Sequence, residues 1–162
     1  MTTPVELAPN NERELVLARI VDATPEQVYR CWSTPELYPR WFCPPPWRAE
    51  ATRMELRPGG AAETTMYGPD GEVVPNPGVY LEVVPNRKLV FTDAYTEGWV
   101  PAQDGGMMTA VVTFEPHGAG QTLYVARVGH PTVEKRRQHE EMGFHDGWGA
   151  VAEQMEALAK TL

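Results

Sequence analysis

The chain has 162 residues, 42% of them hydrophobic and 22% charged, long enough to bury a core unaided and too apolar for a disordered segment. Its 14 Lys and Arg against 22 Asp and Glu leave a net charge of −8. Nucleic acid and anionic membrane surfaces are set aside as partners, because both call for clustered cations. No apolar run approaches the ~20 residues of a membrane helix, and the N-terminal stretch has no basic start or apolar segment, so a cytoplasmic protein is expected. Cys31 and Cys43 lack metal-site spacing and are expected to remain reduced thiols.

One domain is expected over residues 1–162, with its core in 12–160 and a disordered or loosely attached polar arm at 1–11. From Glu12 to Asp22 a run rich in Leu, Val and Ile reads as a strand. Thr24-Pro25-Glu26 is a helix start, with Thr as N-cap, Pro in the first helical position and an acid in the first turn. Val28, Cys31 and Trp32 give that short helix its apolar face. Thr34-Pro35-Glu36 repeats the signal and predicts a second short helix carrying Leu37, Tyr38, Trp41 and Phe42, which Pro44-Pro45-Pro46 ends.

Between Trp47 and Val128 short extended runs alternate with Gly- and Pro-containing turns, predicting six strands of an antiparallel sheet. Met108, Ala110, Val112 and Phe114 form the inward set of one strand. Along 79–84, Val79, Leu81 and Val83 or Tyr80, Glu82 and Val84 could equally face inward. The segment 96–107 reads as a loop whose Trp99 either covers a cavity or plugs the sheet edge. Thr132 to Leu162 reads as one long helix with Phe144, Trp148, Val151, Met155 and Leu162 on one face. Lys135, Glu153 and Glu156 lie opposite. Gly143, Gly147 and Gly149 inside it each cost ~1 kcal/mol relative to Ala, which points to a kink or a close approach.

An apolar sheet face and an amphipathic helix must bury each other, giving a two-layer α+β domain, and a twisted sheet curling round one helix leaves a cavity beneath it. The order of elements and the motifs ATPEQVYRCW (23–32), TPELYPRWF (34–42), ELRPGG (55–60), MYGPDG (66–71), GVYLEVVPNRKLVFTDAY (78–95) and GFHDGW (143–148) resemble the START/SRPBCC superfamily. Within it they are similar to the branch related to the activator of the heat-shock-protein ATPase, especially its bacterial single-domain members. The resemblance implies a helix-grip fold: strand, two short helices, six strands and a long C-terminal helix. It does not fix a function, because relatives include lipid carriers, hormone receptors, polyketide cyclases and chaperone activators.

The candidate ligand surface is a set of Met and aromatic residues, Trp41, Met54, Met66, Tyr80 and Phe91 together with Met108, Phe114, Tyr124, Trp148 and Met155, side chains that adapt to flat apolar molecules. Candidate acid/base groups are Glu141 and His145, neighbours at i, i+4 on the expected helix, and Glu82 and Asp93 on adjacent strands. The run His139-Glu140-Glu141-Met142-Gly143 looks like a zinc-protease helix, but Gly143 stands where the second His is required, so no metal is expected. No redox or phosphate-binding motif occurs and no cofactor is expected. The leading reading is a binding module for a small hydrophobic or aromatic ligand. A cyclase- or hydrolase-type enzyme and a co-chaperone-like interaction module are the alternatives, and a homodimer is compatible with all three.

Overall fold

Thr24 caps the first helix as its sequence predicts: the hydroxyl accepts from Gln27 N–H at 3.2 Å while the Gln27 side chain returns a bond to Thr24 N–H at 2.9 Å, a reciprocal capping box. The computed structural model describes residues 1–162. In chain order its elements are β1 (Thr3–Pro4), β2 (Glu14–Val21), α1 (Pro25–Ser33), β3 (Arg48–Met54), β4 (Ala62–Tyr67), β5 (Val73–Asn76), β6 (Val79–Val84) and β7 (Lys88–Thr92). They continue with β8 (Tyr95–Thr96), β9 (Val100–Pro101), β10 (Thr109–His117), β11 (Gln121–Gly129), α2 (Val133–Glu141) and α3 (Phe144–Ala159).

The main sheet is antiparallel and ordered β1-β2-β11-β10-β7-β6. A second sheet, β3-β4-β5, joins its edge through an Ala61–Val79 bridge and through Tyr80, whose N–H and C=O bond Gly60 and Gly59. The two sheets together make one curled wall with α1 and α3 on its concave side. This is the expected helix-grip α+β architecture. No helix is long and apolar enough to cross a membrane.

The details depart from expectation in six places. Nine strands, not six, lie between Trp47 and Gly129, because the loop-like stretch carries the small β8–β9 hairpin and β5 is separate from β4. The second helix shrinks to one 3-10 turn at Tyr38–Arg40, since Pro39 has no N–H to offer a longer ladder and three prolines follow. The single C-terminal helix is two, broken at Gly143, whose φ of +95° suits glycine and ends a helical hydrogen-bond run.

The residues 1–11 are not a loose arm. Thr3 and Pro4 pair with Ile20 and Arg19, Thr2 is buried and bonds the Glu153 carboxylate, and the Met1 ammonium pairs with Glu156. Glu156, expected on the polar face of the helix, is 2% exposed. Burial works to raise its pKa, yet bonds from the Met1 ammonium and from Asp22 N–H outweigh that and leave it below its ordinary value. A buried carboxylate needs such partners, and the N-terminal segment supplies the charged one.

Finally, neither inner set proposed for 79–84 is right. A bulge at Leu81 shifts the register between Tyr80, opposite Phe91, and Glu82, opposite Val90. Tyr80 and Val83 therefore face the interior while Leu81 and Glu82 turn outward.

Candidate functional site

Tyr38, Trp41 and Phe42 are the residues left over when the second helix fails to form, and they fill the floor of the concave side. Tyr38 stacks on Phe42 with centroids 4.5 Å apart and meets Trp41 edge-on at 5.4 Å. Trp32 joins them from α1 and reaches Phe91 on β7 at 5.6 Å. Trp41 is anchored by its indole N–H to the Cys31 carbonyl at 2.9 Å, and Gln154 of α3 donates to the carbonyls of Trp41 and Cys43. The aromatic floor is thus tied to both helices. Above it, between the curled sheet and the α2–α3 junction, a cavity of about 390 Å³ remains.

Eight of the ten expected ligand-surface residues line it: Trp41, Met54, Met66 and Tyr80, then Phe91, Met108, Tyr124 and Trp148. Phe114 and Met155 do not. Both are fully buried in the solid core, Phe114 edge-on to Tyr29 at 5.8 Å, because the curl of the sheet closes over them further along. Tyr38, Met107 and Met142 line the cavity without having been expected there. Their signal in the sequence is weak: Tyr38 reads as part of a helix face, and the other two sit in a loop and at a helix end.

The acid/base pair Glu141–His145 does not exist. The break at Gly143 destroys their i, i+4 relation, Glu141 points to solvent, and His145 instead meets Glu140 at 3.2 Å on the exposed surface. That hydrogen bond is the main reason the Glu140 carboxyl lies below its ordinary value. Glu82 also stays outside. Its Oε2 lies 2.7 Å from the Lys88 ammonium, off the hydrogen-bonding direction, while Oε1 takes the bond itself at 3.4 Å. Trp99 caps the sheet edge over Gly59 and is no part of the cavity wall.

Asp93, the second strand carboxylate considered, does line the cavity, with Glu63 and His139. Asp93 Oδ1 accepts from the N–H groups of Met107 and Met108 at 2.7 and 3.0 Å. Gly106 is obligatory beside it: its φ is +77°, and a Cβ there would fall 2.7 Å from Asp93 Oδ1. Tyr38, Tyr80 and Tyr124 all line the cavity, and burial pushes their phenols above the ordinary tyrosine value. For Tyr124 the Trp32 indole N–H offsets part of this, although Trp32 Nε1 meets no acceptor at hydrogen-bonding geometry. The wall is therefore mostly rings and thioethers, with a few polar groups that the protein leaves without partners.

A family model described as Activator of Hsp90 ATPase homolog 1-like protein matches residues 22–160. Among solved structures, a protein of Nitrosomonas europaea is 38% identical, with 94% of this chain and 97% of that one covered and a TM-score of 0.87. A protein of Mycobacterium smegmatis is 24% identical over 96% of each chain, with a TM-score of 0.79. A protein of Chromobacterium violaceum is 25% identical, covering 93% of this chain and 99% of that one, with a TM-score of 0.73. No curated protein matches the sequence.

Proposed function

This chain belongs to the family of Activator of Hsp90 ATPase homolog 1-like proteins, and from that premise we propose that it binds a small hydrophobic or aromatic molecule in the cavity between its sheet and its C-terminal helices. The observation that carries this reading is the cavity itself. Its volume of about 390 Å³ falls in the range of small-molecule sites, apolar walls with a few convergent polar groups. A purely structural protein closes such a space, because each unfilled void forfeits packing. The co-chaperone-like alternative expects a filled core and a broad apolar face outside, so the hollow interior favours a ligand. Nothing at Glu141, His145 or Glu82 favours an enzyme.

Trp32, Trp41 and Trp148 all line the space, so an aromatic ligand entering it quenches or shifts tryptophan emission. The test is titration of flat apolar compounds, naphthalene derivatives first, read by emission and by melting temperature. Saturable quenching with a matching rise in melting temperature is the expected result. No response from any compound, with Trp148→Ala unchanged as well, overturns the reading.

A further inference from the structure

Two histidines behind the cavity wall form a directed pair. His130, the residue after β11, is 4% exposed, and its Nδ1 lies 2.8 Å from the Arg13 carbonyl oxygen. A carbonyl only accepts, so His130 Nδ1 carries the proton. In the neutral ring His130 Nε2 is then bare, and it sits 2.9 Å from His139 Nδ1. His139 must donate from that nitrogen, which leaves its own Nε2 as a lone pair. That atom has no hydrogen-bond partner in the chain, and the His139 ring lines the cavity. Phe144 packs edge-on against the ring at 5.2 Å and fixes its plane. Burial first and His130 second hold the His139 pKa down to about 4, with Asp93 pulling the other way.

The charge around this nitrogen has one sign. Asp93 supplies the carboxylate at the cavity wall, while Glu63 is paired across the strands with Arg53 on the outer face, and no Lys or Arg lines the space. The nearby ammonium of Lys135 is occupied by the carbonyls of Asp104 and Gly106. A ligand carboxylate entering here would shed its water, find no cation and face the Asp93 carboxylate. A ligand O–H or N–H would meet an acceptor that otherwise goes unsatisfied.

Resting on the small-molecule reading above, we propose that this cavity recognises its ligand through a hydrogen-bond donor, an O–H or N–H set against His139 Nε2 beside Asp93, and that it rejects carboxylates. His139 is thereby a specificity-determining residue, and His130 is a positioning residue that sets its tautomer.

The test compares naphthol, naphthylmethylamine, naphthol methyl ether and naphthoate, which share one ring system, on the full-length protein. Naphthol or the amine is expected to bind roughly tenfold more tightly than the ether, the contribution of one hydrogen bond to a buried acceptor. Naphthoate is expected to bind worst. The order of naphthol and amine tells a neutral donor at His139 from a cation drawn by Asp93. His139→Phe should bring naphthol to the level of the ether and leave the ether unchanged. Equal affinities for naphthol and ether in the native protein, or naphthoate as the best ligand, overturn the proposal while leaving the small-molecule reading intact. If none of the four binds, the small-molecule reading itself fails. Nitrogen-15 NMR of the ligand-free protein decides the tautomers independently. Both rings should carry the proton on Nδ1, and a proton on His139 Nε2 refutes the recognition scheme whatever binds.

Discussion

Helix α3 runs through two different interiors. Along its C-terminal half, Ala152, Met155 and Ala159 are essentially inaccessible and pack against a solid core that includes Val28, Val112 and Phe114. Along its N-terminal half, Gly147, Trp148 and Val151 border open space. The solid end is built of branched aliphatics, alanines and edge-on rings, shapes that interdigitate. The hollow end is walled by Met54, Met66, Met107 and Met108 together with aromatic rings, and the thioethers can repack around a guest. One helix thus serves stability at one end and recognition at the other, so the two properties should respond separately to substitution.

The separation is tested most severely by Phe114→Ala. It should cost about 3–5 kcal/mol in denaturant melts, as truncation of a buried ring in a closed core does, while the surviving folded fraction keeps its affinity for aromatic probes. Trp148→Ala should cost only about 1–2 kcal/mol, because part of its surface already faces unfilled space, yet it should weaken probe binding more than any change in the solid half. Equal losses of stability from the two variants would erase the comparison.

Smaller effects come from the glycines at the hollow end. A Cβ on Gly147 would meet nothing within 4 Å, so Gly147→Ala should stabilise by about 0.5–1 kcal/mol through helix propensity. Gly147→Phe would place a ring in the cavity and should abolish probe quenching in a folded protein. Gly143→Ala should act in the opposite direction, losing roughly 1 kcal/mol or more at φ +95°. Thermal melts of the two alanine variants side by side decide it.

The pH profile probes the hollow end without changing its packing. The ordinary His139 pKa is 6.5 and the folded value is about 4, so between them the unfolded chain binds more protons than the folded one. The stability contributed by this neutral imidazole is complete above 6.5 and drains as pH falls toward about 4. His139→Phe should flatten that stretch of a melting-temperature profile. Glu140 and Glu156, with lowered values, act further down, from their ordinary 4.5. A native profile already flat between the two histidine values would show that the ring is not held neutral.

Local chemistry made part of this legible in advance. The Thr24 cap, the strand at 14–21, the inward set on β10 and the apolar face of α3 follow from propensities and periods that act within a few residues. Eight cavity-lining residues were legible because Met and aromatic side chains on two facing layers have few other places to go. What stayed hidden depends on long-range or single-residue geometry. A wheel drawn through Gly143 joined Glu141 to His145 across a break that only the backbone reveals. His130 and His139 lie on different elements with a turn between them, and no periodicity marks such a pair. The sequence places Glu156 on the solvent side of the helix because its partners, Met1 and Asp22, come from distant parts of the chain.

The bulge at Leu81 bears on how the strand tolerates changes in length. Gaining or losing one residue normally turns every later side chain of a strand to the wrong face. In β6 the extra residue is already present and its displacement already absorbed, with Tyr80 opposite Phe91 and Val83 opposite Leu89 on either side of it. Leu81 is therefore the one place where β6 can lose a residue without inverting itself: its deletion should keep Tyr80 at the cavity, Glu82 outside and a cooperative melt, whereas deletion of Val83 should throw Val84 and the turn into β7 out of register and lower the melting temperature.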